Sequence, residues 1–226
     1  MSKISGMSDL DPKADAKTGL TLDKVEITLN GDALVAVNAH ISPGEILTVM
    51  GPSGSGKSTL LAYVAGFLDP VFSATGQIRL NGLDVTALPP ERRGMGLLFQ
   101  DPLLFPHLSV GGNLTFGLMP AIKGQSARRE ALEAALSHVG MDDFLNRDPA
   151  TLSGGQRARV ALMRTLLSRP EALLLDEPFS KLDTARRGQV RDLVFAEARQ
   201  RGLPVLLVTH DVADANAAGG QCIELT

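Results

Sequence analysis

The chain has 226 residues, 44% of them hydrophobic, which can fill the core of one large α/β domain or of a core with a smaller insert. A net charge of −3 with scattered lysines and arginines excludes a nucleic-acid track, and the basic pairs Arg92-Arg93 and Arg128-Arg129 read as solvated. A single cysteine, Cys222, excludes an internal disulfide and fits a reducing compartment such as cytosol; no apolar run reaches the roughly 18 residues that span a bilayer, so a partner has to supply any membrane.

Residues 1–19 are polar, lack the apolar core of a secretory signal and read as a disordered tail. From Leu20 to Val49 apolar residues alternate in short runs around Asn30-Gly31 and Pro43-Gly44, which predicts a β-hairpin leading into a further strand. Gln77 to Gly82 repeats the pattern, predicting a small antiparallel sheet. Ile46 to Met50 is an apolar strand, and Leu60 to Ala65 is compatible with a helix. Between them Gly51-Pro52-Ser53-Gly54-Ser55-Gly56-Lys57-Ser58-Thr59 fits G-x-x-x-x-G-K-[ST], the loop that wraps a nucleotide's phosphates. Its glycines let backbone N–H groups face the phosphates, and the helix opening near Lys57 adds its positive end. Lys57 is placed on the β- and γ-phosphates and Ser58 on Mg²⁺. The plain alternative, a glycine-rich turn with an exposed lysine, lacks the strand and helix that flank the motif.

Met95 to Phe99 is a strand candidate ending on Gln100, a candidate contact to Mg²⁺ or water at the strand end where α/β ligand sites lie. From Asp101 to about Arg169 the pattern is helical: Ala131, Leu132, Ala135, Leu136 and Val139 form a core stripe behind Ser126 as a candidate cap. Ser153, Gly154, Gly155 and Gln156 open a further helix, a terminus suited either to an anion or to a plain N-cap. Ala172 to Leu175 is a fully apolar strand that ends in Asp176-Glu177. There Asp176 suits the metal and Glu177 suits polarising an attacking water. Val190, Leu193, Val194 and Ala198 make another helical stripe, and Pro204 to Val208 a strand ending in Thr209-His210-Asp211. His210 lies on the same sheet edge, where a neutral imidazole bonds the γ-phosphate or the water. Strands alternating with helices predict a mostly parallel sheet covered on both faces.

With these residues placed, the chain resembles the ATP-binding subunit of an ABC transporter from about Leu20 to Asp211. The likeness comprises the Walker A loop (51–59), the Q-loop glutamine (Gln100), the LSGGQ signature (152–156), the Walker B strand with its glutamate (172–177), the D-loop (180–183) and the switch histidine (His210). It implies a RecA-like P-loop NTPase core with a mostly parallel sheet, a small antiparallel β-subdomain and an inserted α-helical subdomain. In residue terms, 20–226 form one ABC ATPase domain, with 20–100 and 169–226 as the nucleotide core and 101–168 as the helical subdomain. It further implies a head-to-tail dimer in which each ATP lies between one subunit's Lys57 and the other's Ser153, Gly154 and Gly155, with Gln156 and Asp183 at the same composite site. Glu177 then serves as general base, and closure is passed to an integral membrane permease through the region after Gln100. Phe105 to Val110 with Asn113 resembles importer ATPases, which implies solute uptake with a solute-binding protein, at the cytoplasmic face of a bacterial inner membrane.

Three departures stand against the family's pattern. Leu29 occupies the place of the aromatic residue that stacks on adenine, and Tyr63 lies in the helix after the loop. Lys181 replaces a small D-loop residue, and only 226 − 210 = 16 residues follow His210, which predicts no regulatory C-terminal domain. The alternatives are an efflux or lipid-extraction ATPase, a soluble ABC protein of translation or repair, and a catalytically silent ATP-gated subunit. Leu104 to Asn113 argues against the first, the absence of a second cassette against the next, and the presence of both Glu177 and His210 against the last.

Overall fold

The computed structural model describes residues 18–225. Of the disordered tail expected over residues 1–19, residues 1–17 lie outside the described residues, and Gly19 is held at both backbone groups by Asn81, at 3.0 and 2.8 Å. The first two strands, β1 (Leu20–Leu29) and β2 (Asp32–Ile41), turn through Asn30 and Gly31 at φ 54° and 92°, the left-handed pair that a two-residue hairpin demands. Strict alternation would turn Val25 away from Leu22. A bulge at Asp23-Lys24, with Lys24 at φ 49°, puts both on the core side, and each is fully buried.

The next antiparallel strand of the sheet, β4 (Phe72–Leu80), begins five residues before the predicted Gln77. Exposed Ser73 and Thr75 and the following Gly76 hide that half of the strand from a search for apolar alternation. With β5 (Leu83–Asp84) the sheet order is β2-β1-β4-β5. Arg93, predicted to be solvated, is 5% exposed. Its guanidinium donates to the carbonyls of Leu88, Tyr63, Val64 and Thr86, so its charge is buried with four of its five N–H donors bonded. Burial still pushes its pKa down.

Five strands form the second sheet: β3 (Ile46–Met50), β6 (Met95–Leu98), β7 (Ala172–Asp176), β8 (Val205–Thr209) and β9 (Cys222–Glu224). Their order is β6-β7-β8-β3-β9, and every pairing is parallel. Both faces are covered, which is why β7 and β8 read as unbroken apolar runs. Leu173, Leu175, Val205 and Leu207 face one cluster with helices α2 (Val110–Thr115), α3 (Gln125–His138), α4 (Gly154–Leu167) and α5 (Thr184–Gln200). Leu174, Leu206 and Val208 face the other, with α1 (Lys57–Ala65) and the antiparallel sheet. The helices between β6 and β7 therefore share one continuous core with the parallel sheet. α6 (Val212–Ala218) follows β8.

Two local expectations change. Ser126 does not cap α3: the cap position is Gly124, and Ser126 bonds Glu130 from inside the helix at 2.8 Å. The stripe itself holds, with Leu132, Leu136 and Val139 buried. β9 was too short and too polar to be read, since only Ile223 of its residues is not exposed.

Candidate functional site

The predicted phosphate loop leaves β3 and enters α1 directly, as its sequence requires. Gly56 sits at the helix N-cap at φ 86°, where a side chain would be strained and would meet Val35 Cγ2 at 2.4 Å. It has no side chain to cap the helix, so the first N–H groups of α1 stay free for an anion. Lys57, 6% exposed, folds its ammonium onto the carbonyls of Gly51 (2.9 Å) and Pro52 (2.7 Å). Ser55 Oγ is buried without a partner, and Pro52, Ser53 and Gly54 line the exposed side. These are the features of a cradle for an anionic group.

The strand ends supply the rest. Neighbours β6, β7 and β8 run parallel, and β8 adjoins β3, so Gln100, Asp176, Glu177, His210 and the loop stand along one edge of the sheet. Ser58 Oγ donates to Asp176 Oδ1 at 3.1 Å across 118 positions of sequence. Burial pushes the Asp176 carboxyl up; Ser58 and Lys57 act against that, and the Glu177 charge adds to it. A carboxylate whose charge is unwelcome, beside a hydroxyl, is a donor set that suits a hard cation. Among the described residues no group of three or more His, Cys, Asp or Glu could hold a metal ion alone, so a cation there needs phosphate and water oxygens as well.

Glu177 stands at φ 44°, a left-handed backbone that costs a non-glycine residue about 1–2 kcal/mol. The turn is fixed by Ser180, whose N–H and Oγ both donate to the Glu177 carbonyl, at 3.2 and 2.9 Å. It brings Glu177 Oε2 within 3.0 Å of His210 Nδ1. Gln100 is exposed just past β6.

Ser153 is the N-cap of α4 and forms a capping box with Gln156: Ser153 Oγ accepts from Gln156 N–H, and Gln156 Oε1 accepts from Ser153 N–H. Gln156 is thus turned into its own helix. The cleft at Gly154 is walled by Gln100, Asp101, Arg157, Pro178, Lys181 and Leu182, and by no residue of the 51–59 loop. Lys181 pairs with Asp101 at 3.3 Å, and that bond is the first cause holding the Asp101 carboxyl below its ordinary value. Asp183 caps α5 through Arg186 N–H.

Three residues hold these pieces, of which sequence reasoning missed the two arginines. Arg187 of α5 pairs with Asp211 (2.8 Å) and with Asp214, 2% exposed, and so fixes the segment after His210. Arg164 of α4 donates to the carbonyls of Pro102 and Leu103, tying the helix that Ser153 opens to the segment after Gln100. Asn113, fully buried, bonds the backbone of Phe105, Leu108 and Ser109, which explains its place after that loop. Only the charged helix positions of the two arginines hinted at them, and such positions usually face water.

A phosphate loop between strand and helix, with an acid pair and a histidine at the ends of adjacent parallel strands, defines a P-loop ATPase. The family model described as "ABC transporter" matches residues 34–180. The chain is 52% identical over 184 residues, 81% of its length and 84% of the relative's, to the "Uncharacterized ABC transporter ATP-binding protein YnjD" of Escherichia coli (strain K12). It is 45% identical over 175 residues, 77% of its length and 74% of the relative's, to the "Thiamine import ATP-binding protein ThiQ" of Shigella flexneri serotype 5b (strain 8401). A Salmonella choleraesuis (strain SC-B67) protein, provisionally named for 2-aminoethylphosphonate import (PhnT), is 41% identical over 206 residues. That alignment takes in 90% of this chain but 55% of that protein, so the chain spans about half its length. The chain belongs to the ABC transporter family, and its activity is that of the family's ATPase subunit.

Proposed function

We propose that the chain powers solute import through a separate transmembrane permease, closing as a head-to-tail dimer around ATP and opening on hydrolysis. The observation that carries the dimer is the separation within one chain: the cleft at Gly154 contains nothing of the 51–59 loop. Ser153, Gly154 and Gly155 can therefore meet a nucleotide on a second copy. In this reading residues 20–100 and 169–226 are the nucleotide core and 101–168 the helical subdomain. Uptake is favoured by ThiQ and PhnT, both named as import proteins. Among the described residues no helix is long and apolar enough to cross a membrane, and in this reading a permease partner makes the crossing.

Gly51 to Thr59 wrap the phosphates, Lys57 leaves its own loop carbonyls for the β- and γ-oxygens, and Ser58, Asp176 and Gln100 would hold Mg²⁺. When bound, that ion offsets charge on the phosphate oxygens. Glu177 takes a proton from the attacking water, and His210 holds the Glu177 carboxylate and the γ-phosphate in place. Asp183 and Gln156 lie at the face turned to the partner's nucleotide, and Gln156 Oε1 also shapes the cap of α4. Release of phosphate loosens the pair and resets the permease.

The test is the hydrolysis rate against protein concentration, with Glu177→Gln examined by light scattering with and without ATP and Mg²⁺. A rate rising faster than linearly and an ATP-dependent dimer are expected. A linear rate with a persistent monomer, in the presence of the permease as well, would overturn the composite site.

A further inference from the structure

Where the antiparallel sheet meets the phosphate loop, the register of β1 and β2 passes from Ile27↔Val35 to Thr28↔Ala33. Leu34 is the extra residue, and a bulge of this kind re-aims a side chain. It aims at the loop: a Cβ on Gly56 would stand 2.9 Å from Leu34 Cγ. Behind it the inward row Val35, Ile27 and Ala74 packs into the core cluster, with Val35 and Ile27 at 3% and 0% exposure. The next inward row, about 6.8 Å along the strands, pairs Leu29 directly with Phe72 across β1 and β4. Opposed residues share a face of the sheet. Leu29, Leu34 and Phe72 are each only half-buried, unlike Val35 and Ile27 behind them. The other nearby ring is already used: Tyr63 is buried, and its hydroxyl donates to the Gly76 carbonyl at 3.2 Å.

We propose that Phe72, with Leu29 and Leu34 beside it, is the platform for the base of the bound nucleotide. This rests on the nucleotide reading above. A nucleotide gripped by its phosphates keeps sugar and base on a short tether. The apolar wall joined to the loop through Leu34 and Gly56 is the surface that tether reaches, and a purine face stacks on an aromatic ring. The early start of β4 thus sets a ring opposite the leucine at the end of β1. The contact is sequence-distant, and Phe72 serves as a specificity residue: it recognises a flat base and leaves the phosphates to the loop.

The experiment measures equilibrium binding of ATP and of inorganic tripolyphosphate to the full chain and to Phe72→Leu, Phe72→Trp and Leu29→Tyr. Phe72→Leu, which keeps apolar bulk and loses the ring, is expected to weaken ATP about tenfold and to leave tripolyphosphate within about twofold. Phe72→Trp retains or tightens ATP binding and guards against a folding artefact. Leu29→Tyr changes ATP affinity by less than about twofold, because the base already has a ring. Unchanged ATP binding in Phe72→Leu, or equal loss of ATP and tripolyphosphate, overturns the platform while the nucleotide reading stands. A wild-type chain that binds neither compound overturns both.

Discussion

His210 Nδ1 lies 3.0 Å from Glu177 Oε2, joining the ends of adjacent strands β8 and β7. The contact sits beside a carboxylate whose backbone is already forced into a left-handed turn, so the two residues are expected to act as one unit. Glu177→Gln preserves the shape and removes the base. Steady-state hydrolysis should fall about 100-fold or more while ATP binding persists. Wild-type turnover in this variant would remove Glu177 from the chemistry.

Ser153→Arg puts a long cation at the tip of α4 and deletes the cap that Ser153 provides. Loss of the cap costs about 1 kcal/mol, which lowers the melting temperature by about 2–4 °C for a chain of this size. Nucleotide binding to the isolated chain should be unchanged, because that loop lies elsewhere. Dimer closure and hydrolysis should be lost, as read by light scattering and phosphate release; normal hydrolysis would take the signature segment out of the mechanism.

Asp176→Asn should separate stability from function. Burial raises the Asp176 pKa, so the folded chain holds that proton more tightly than the unfolded chain does. The stability due to this group is complete below the ordinary aspartate value and is lost as pH rises through the raised folded value. At pH 7 the nucleotide-free variant should therefore melt higher than wild type, with the difference vanishing in acid, while Mg²⁺-dependent hydrolysis is lost. A melting temperature at pH 7 equal to or below wild type would mean that Ser58 and Lys57 fully offset the burial.

Arg187→Ala leaves buried Asp214 with only its longer contact to Arg191 Nη1, at 3.5 Å. Removing the whole partner of a buried charge costs about 3 kcal/mol or more, and the remaining Arg191 contact puts the expected loss below that, to be seen as a lower urea midpoint. Hydrolysis should fall further than Arg187→Lys causes, because Asp211 and the segment carrying His210 lose their anchor. Restoring stability by adding Asp214→Asn would show that the cost is the stranded charge; no recovery would assign it to lost packing.

The parallel sheet was legible because burial on both faces writes it as unbroken apolar runs such as Leu173-Leu174-Leu175, and the phosphate loop because its spacing has a mechanism. The half-exposed first part of β4 was not legible, since Ser73, Thr75 and Gly76 face water or a close backbone. Arg93 looked like a surface charge because the four carbonyls that receive it come from α1 and from the segment after β5, which no local pattern connects. Gln156 is expected at the ligand, and the structure adds what spacing alone did not show, that its Oε1 closes a capping box with Ser153. The pairing of Glu177 with His210 needed strand order, which fixes β7 beside β8.

Lys57 enters the unliganded state with its ammonium already satisfied by Gly51 and Pro52. A chain of phosphates can take over both bonds and gain the helix terminus as well. The side chain that will grip the ligand is thus the one that holds the loop in shape before the ligand arrives.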